Sequence, residues 1–190
     1  MKLYFIRHGQ TDWNEAKKIQ GSCDIELNAN GIKQAEALCR KLKEEAYSIS
    51  AIYTSKQKRA LQTAHLIGQG IHLSPIAVDG LQEVNLGHWE GLSWSQVKAL
   101  YPKEYEDWYY NRRYSKAHQG EAYQEVVERV MTALRLIIQE NTGDIAIVTH
   151  NAVIMCLQCY LTDTPFDQMK NFKSDNTAIS VIDSVLFHNK

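Results

Sequence analysis

The chain is poor in the residues that mark several classes of protein. It has four cysteines (Cys23, Cys39, Cys156 and Cys159) in 190 residues, too few and too scattered for a disulfide scaffold at this length. Three prolines and no Gly/Ser-rich run leave no compositional break between two halves, so one domain over 1–190 is the economical reading. No internal repeat or low-complexity tract is visible. A net charge of −1 supplies no global field toward nucleic acid or an anionic membrane, so any anion binding must come from a local cluster. The apolar run Leu3 to Ile6 is far too short for a signal peptide or a membrane span, and no Asn-x-Ser/Thr sequon occurs. A reduced, cytoplasmic protein is expected. The oligomeric state leaves no readable mark.

What is present is ordinary in amount, 44% hydrophobic and 23% charged, and ordered in pattern. Leu3–Ile6 reads as a buried strand. Ile32, Ala35, Leu38, Cys39 and Leu42 recur at helical spacing, with Asn28 or Asn30 able to cap the start. Ala51–Tyr53 reads as a second strand. A helix over about 56–67, ending near Gly68 and Gly70, and a strand Ile76–Val78 follow. An aromatic-rich helical stretch spans 93–114, broken at Pro102. Val126, Val127, Val130, Met131, Leu134, Ile137 and Ile138 mark a long amphipathic helix. Ile145–Val148 is the clearest buried strand; an apolar helix from Asn151 and a strand Ala178–Ile182 close the chain. Strands separated by helices predict an α/β fold with a mostly parallel central sheet, whose ligands bind at the carboxyl ends of the strands.

Those ends carry chemistry. Arg7-His8-Gly9 follows the first strand. Thr54-Ser55, with Arg59 beyond, follows the second. Thr149-His150 follows the strongest, where a helix begins. Arginine forks suit a doubly charged oxyanion, and a helix N-terminus adds free N–H groups. Any one of these residues alone is more often a surface or structural group; their joint placement carries the reading.

Arg7-His8-Gly9-Gln10-Thr11 with Trp13-Asn14 resembles the opening signature of histidine phosphatases and cofactor-dependent phosphoglycerate mutases. The resemblance continues in order through Leu27 to Gly31, Thr54-Ser55 to Ala64, Leu81-Gln82-Glu83 to Gly91, Gly120-Glu121 and Val148-Thr149-His150. The small branch that includes α-ribazole phosphatases fits best, and the fold implied is a three-layer α/β/α sandwich. The implied activity is metal-independent phosphomonoester hydrolysis with no cofactor, on a small phosphorylated metabolite. In that reading His8 is the nucleophile and Arg7 and Arg59 hold it neutral. Arg7, Arg59, His150 and Asn14 grip the phosphoryl group, Gly9 fixes the His8 tautomer, and Glu83 is the acid and base, with Glu121 and Glu90 as weaker claimants. A mutase that returns the phosphoryl group to substrate, and a non-catalytic phospho-ligand-binding module, are the alternatives.

Three departures from the family pattern stand out. Asn151 occupies a position where many relatives have glycine, and is expected to narrow the phosphate approach or add a donor. Ala122 replaces a serine. His88 is expected to line the pocket or face solvent. Cys156-Leu157-Gln158-Cys159 reads as core rather than a redox or zinc pair. The segment at about 93–120, with Tyr105, Trp108, Tyr109, Tyr110 and Tyr114 among Arg112, Arg113, Lys116 and His118, reads as a lid over the pocket rather than a nucleic-acid surface.

Overall fold

In the computed structural model, which describes residues 1–187 and 190, five strands form one sheet in the order β3-β2-β4-β1-β5. They are β1 (Lys2–Arg7), β2 (Ile49–Ser55), β3 (Pro75–Val78), β4 (Asp144–Thr149) and β5 (Ile179–Asp183). The first four run parallel and β5 is antiparallel to β1. The inner strands β1 and β4 are apolar on both sides because both faces are covered. Leu3, Phe5, Ile145 and Ile147 pack against α6 (Tyr123–Glu140) and α7 (Asn151–Leu161). Ile6, Ile52, Ala146 and Val148 face α2 (Ala29–Glu44) and α3 (Lys58–Ile71). The architecture is the three-layer sandwich.

Two local expectations need correction. Ile32 does not belong to the buried face of α2; it is 41% exposed, and Gly31, Ala35, Leu38, Cys39 and Leu42 are the buried side. Asn28 does cap this helix, its side chain accepting from Gly31 N. Nor does α3 stop at its glycines. It runs through Gly68 and Gly70 to a left-handed cap at His72. Gly70 is inside the helix because a Cβ there would collide with Cys39 Sγ of α2, so it marks a close helix–helix approach rather than an end.

Pro102 breaks the aromatic stretch as expected, closing α4 (Trp94–Leu100) and opening α5 (Pro102–Tyr110) at its first turn. A short helix, α1 (Asp12–Glu15), and a 3₁₀ run, Phe166–Phe172, lack the length for a periodic signal and went unforeseen. Cys156 and Cys159 are buried in the core with their thiols free. No helix among the described residues is long and apolar enough to cross a membrane.

Candidate active site

Register brings the two histidines together. Arg7 is paired with Thr149 at the carboxyl ends of β1 and β4, so His8 and His150 leave the sheet side by side. The His8 amide donates to the Thr149 carbonyl at 3.0 Å, and the imidazole centroids lie 5.1 Å apart. Both rings are buried.

His8 Nδ1 lies 2.7 Å from the Gly9 carbonyl oxygen. A carbonyl only accepts, so Nδ1 carries the proton and Nε2 keeps its lone pair. Gly9 itself donates to Thr63 Oγ1, and a Cβ on it would meet the Gly31 carbonyl at 2.6 Å; the absent side chain lets this turn press against the start of α2. The His8 pKa is lowered well below the ordinary histidine value, first by burial, then by Arg59, and less by Arg7. The expected neutrality is present, but desolvation rather than the arginines is its leading cause.

Arg59 projects from the first turn of α3 and is fully buried. Its Nη1 donates to the Cys23 carbonyl at 2.7 Å, its Nη2 to the Gly21 carbonyl at 2.9 Å, and its Nε to His150 Nδ1 at 3.3 Å. Three of the five guanidinium N–H groups are thereby fixed, and two remain for a ligand. Because a guanidinium can only donate, His150 Nδ1 is unprotonated, and Nε2–H of the neutral ring donates to Ser55 Oγ at 2.9 Å. Burial, Arg59 and His8 keep the His150 pKa well below its usual range. Both ring nitrogens of His150 are thus engaged, one by Arg59 and the other by Ser55.

Arg7 donates through Nη1 to the Ser174 carbonyl at 2.6 Å, while its Nε is buried without a partner. Asn14 Oδ1 is turned back onto Thr11 in a capping box and also accepts from Asn176, which leaves its Nδ2 donors toward the cavity. Asn176 Nδ2 also donates to the His8 carbonyl at 2.9 Å. Ser55 and Thr63 fall in the second motif but were given no role there, and Ser174 and Asn176 were missed; the Ser174–Thr177 run is a polar turn with no local mark of function.

Glu83 sits on the loop after β3. One carboxylate oxygen accepts from Val84 N at 3.0 Å and the other from Ala152 N at 3.3 Å. The free N–H expected at the start of α7 is therefore partly given to Glu83 rather than held for phosphate. Burial raises the Glu83 pKa, against the opposing pull of Arg59, the two amides and Arg7. Glu90 is instead a brace between loops, accepting from Ser22 N at 2.7 Å and Leu86 N at 3.0 Å. Glu121 is paired with Arg129 at 2.6 Å.

Arg7, His8, Asn14, Arg59, Glu83 and Asn151 line one cavity of about 620 Å³. His150 stands behind it. Asn151 Oδ1 accepts from Ser174 N at 3.1 Å and its Nδ2 donates toward Met155 sulfur, so it ties down the segment that reaches Arg7 and keeps one amide N–H for the cavity it lines. Trp94, Lys98, Tyr105, Trp108 and Arg112 close the far side. Of the remaining aromatic and basic residues, Tyr110 and Tyr114 are exposed, Arg113 donates to Gln124, and Lys116 pairs with Glu125. His88 is exposed, with its ring against His118. No group of three or more His, Cys, Asp or Glu suited to a metal occurs among the described residues.

The profile of the histidine phosphatase superfamily, branch 1, matches residues 3–185. The chain belongs to that superfamily. Among curated histidine phosphatase relatives, phosphoglycerate mutase-like protein 4 of Arabidopsis thaliana is 35% identical over 159 residues, covering 82% of this chain and 69% of the relative. The metal-independent phosphoserine phosphatase of the same plant is 31% identical over 164 residues, covering 85% and 68%. The solved structure of Bacillus stearothermophilus YhfR superposes with a TM-score of 0.85 at 32% identity, covering 96% of this chain and 90% of that one.

Proposed function

We propose that the protein hydrolyses phosphomonoesters through a phosphohistidine on His8 Nε2. The observation that carries this is the Nδ1–H···O=C bond from His8 to Gly9 at 2.7 Å, which leaves the other nitrogen nucleophilic in a cavity it shares with Arg7, Arg59 and Glu83. Nε2 attacks phosphorus as the ester P–O bond breaks, and protonated Glu83 gives its proton to the departing alcohol oxygen. Water then attacks the phosphohistidine, Glu83 takes its proton, and the P–N bond breaks to release phosphate. Arg7, the two remaining N–H groups of Arg59 and the Asn14 amide hold the phosphoryl oxygens, which supplies charge stabilisation without a metal. His150 supports this grip from behind, its Nδ1 accepting from Arg59 Nε; a proton drawn onto Nδ1 by the bound dianion exchanges that bond for one to a phosphoryl oxygen. A metal-independent phosphoserine phosphatase among the relatives supports the same chemistry.

The cavity also bears on the substrate. Seven lysine and arginine side chains line it against one carboxylate, Glu83, in a chain whose net charge is −1. Arg112 is buried, lies over the Trp108 and Tyr109 rings at 4.5 and 5.0 Å, and has a buried Nε without a partner. A buried cation lacking a counter-ion is costly and fits a substrate with a second anionic group, held under a lid formed by α4 and α5. The substrate is a small phosphorylated metabolite, the setting is cytoplasmic, and neither nucleic acid nor membrane takes part.

The test is turnover of 4-nitrophenyl phosphate in excess chelator, with acid-labile phosphate trapped on the protein during turnover. Inorganic phosphate release separates hydrolysis from a mutase. Activity that needs a divalent metal, or that survives His8→Ala, sinks the reading.

A further inference from the structure

The loop that carries Glu83 is held from outside the cavity. Arg129, midway along α6, donates through Nη1 to the Gly80 carbonyl at 2.6 Å and through Nη2 to the Glu83 carbonyl at 3.3 Å. The same guanidinium is fixed in a fork by Glu121, Nε to Oε1 at 2.6 Å and Nη2 to Oε2 at 2.9 Å. Glu121 also holds the far end of the loop: its Oε2 accepts from Asn85 N at 3.3 Å and its own amide donates to the Asn85 carbonyl at 2.7 Å. Gly80 permits the approach, with φ +93° and a hypothetical Cβ 2.8 Å from the Arg129 carbonyl. Leu81 is tied separately, its carbonyl accepting from Thr149 Oγ1 at 2.7 Å.

The pair is only partly exposed, at 25% and 20% for the two side chains, and neither lines the substrate cavity. Its contacts converge on residues 80–85, the segment whose one cavity-facing carboxylate is Glu83. Proton transfer to a leaving oxygen needs that carboxylate within hydrogen-bond reach, and an error of about 1 Å is enough to lose much of the rate.

We propose that Arg129 and Glu121 are positioning residues for Glu83. They touch neither substrate nor phosphate; they fix the backbone from which the acid reaches the leaving group. The proposal rests on the assignment of Glu83 as the acid and base, and the experiment separates the two. Steady-state kinetics are measured for two substrates, 4-nitrophenyl phosphate, whose leaving group departs with little help from an acid, and an alkyl phosphate such as glycerol phosphate, whose leaving group requires one. Glu83→Gln is the reference. If it does not depress the alkyl ester preferentially, the Glu83 assignment itself fails. If it does, Arg129→Met and Glu121→Gln are expected to show the same selectivity, with the alkyl-to-aryl ratio of kcat/KM, which excludes the water step common to both esters, falling by about tenfold or more. Equal loss on both esters, or a lowered Tm with an unchanged ratio, overturns the proposal. Should Arg129→Met fail to fold, the near-isosteric Glu121→Gln carries the test alone.

Discussion

At the floor of the cavity Arg59 spends three donors on named acceptors, His150 is bonded at both ring nitrogens, and His8 is fixed by Gly9. In the roof, Arg112 meets ring faces, its Nε has no partner, and Lys98 lies 5.1 Å over the Tyr105 ring. The floor is a preorganised receptor whose geometry is set before anything binds. The roof holds a buried guanidinium with no ion-pair partner among the described residues. Floor residues should therefore govern the phosphoryl step common to all substrates, and roof residues the choice among them.

The largest effect tests the floor. His8→Ala removes the nucleophile, and kcat should fall by about 10³-fold or more on every ester. A loss confined to some substrates would break the division. Arg59→Lys should follow, at about 10²–10³-fold in kcat, because an ammonium cannot reach His150, Gly21 and Cys23 together and still offer two donors to phosphate. Steady-state rates, with Tm as the control for folding, read both.

The same division explains what was legible in the sequence. The floor lies at the ends of strands whose buried, apolar character is plain, and His8, Arg59 and Glu83 fall in short motifs, so these residues could be named. Their partners could not. Asn176 and Ser174 reach the site from a polar turn before β5, and Arg129 from the middle of an amphipathic helix, with nothing local to mark them. Glycine was the ambiguous letter: Gly68 and Gly70 looked like a helix end because the pattern does not show that α2 passes within contact of α3. In the roof, composition indicated aromatic and basic character, but the selection of Tyr105, Trp108 and Arg112 over Tyr110 and Tyr114 depends on how two short helices turn at Pro102.

Arg112→Ala sharpens the comparison at a smaller scale. Loss of a charged hydrogen-bonding partner costs about 1.5–3 kcal/mol, so kcat/KM for a phosphomonoester with a carboxylate or second phosphate should fall by about 10–100-fold. The fall for 4-nitrophenyl phosphate should be much smaller, since it has no second anion. A substrate profile unchanged in rank would return Arg112 to a packing role over Trp108.

The smallest effect concerns the cost of the floor's neutrality. His8 and His150 both have folded pKa values lowered well below the ordinary value, so the unfolded chain takes up their protons first. Stability is then flat above about pH 6.5 and falls as pH drops below it, by up to about 1.4 kcal/mol per pH unit for each group. Glu83 works in the opposite sense. Its folded pKa is raised, so the folded state binds that proton first and gains stability as pH falls through the raised value. Urea midpoints between pH 7.5 and 5 should therefore decline less steeply in His8→Asn than in the parent, and more steeply in Glu83→Gln. Parallel curves for all three would mean that the floor is hydrated enough to accept a second charge, and that His8 owes its free lone pair to Gly9 alone.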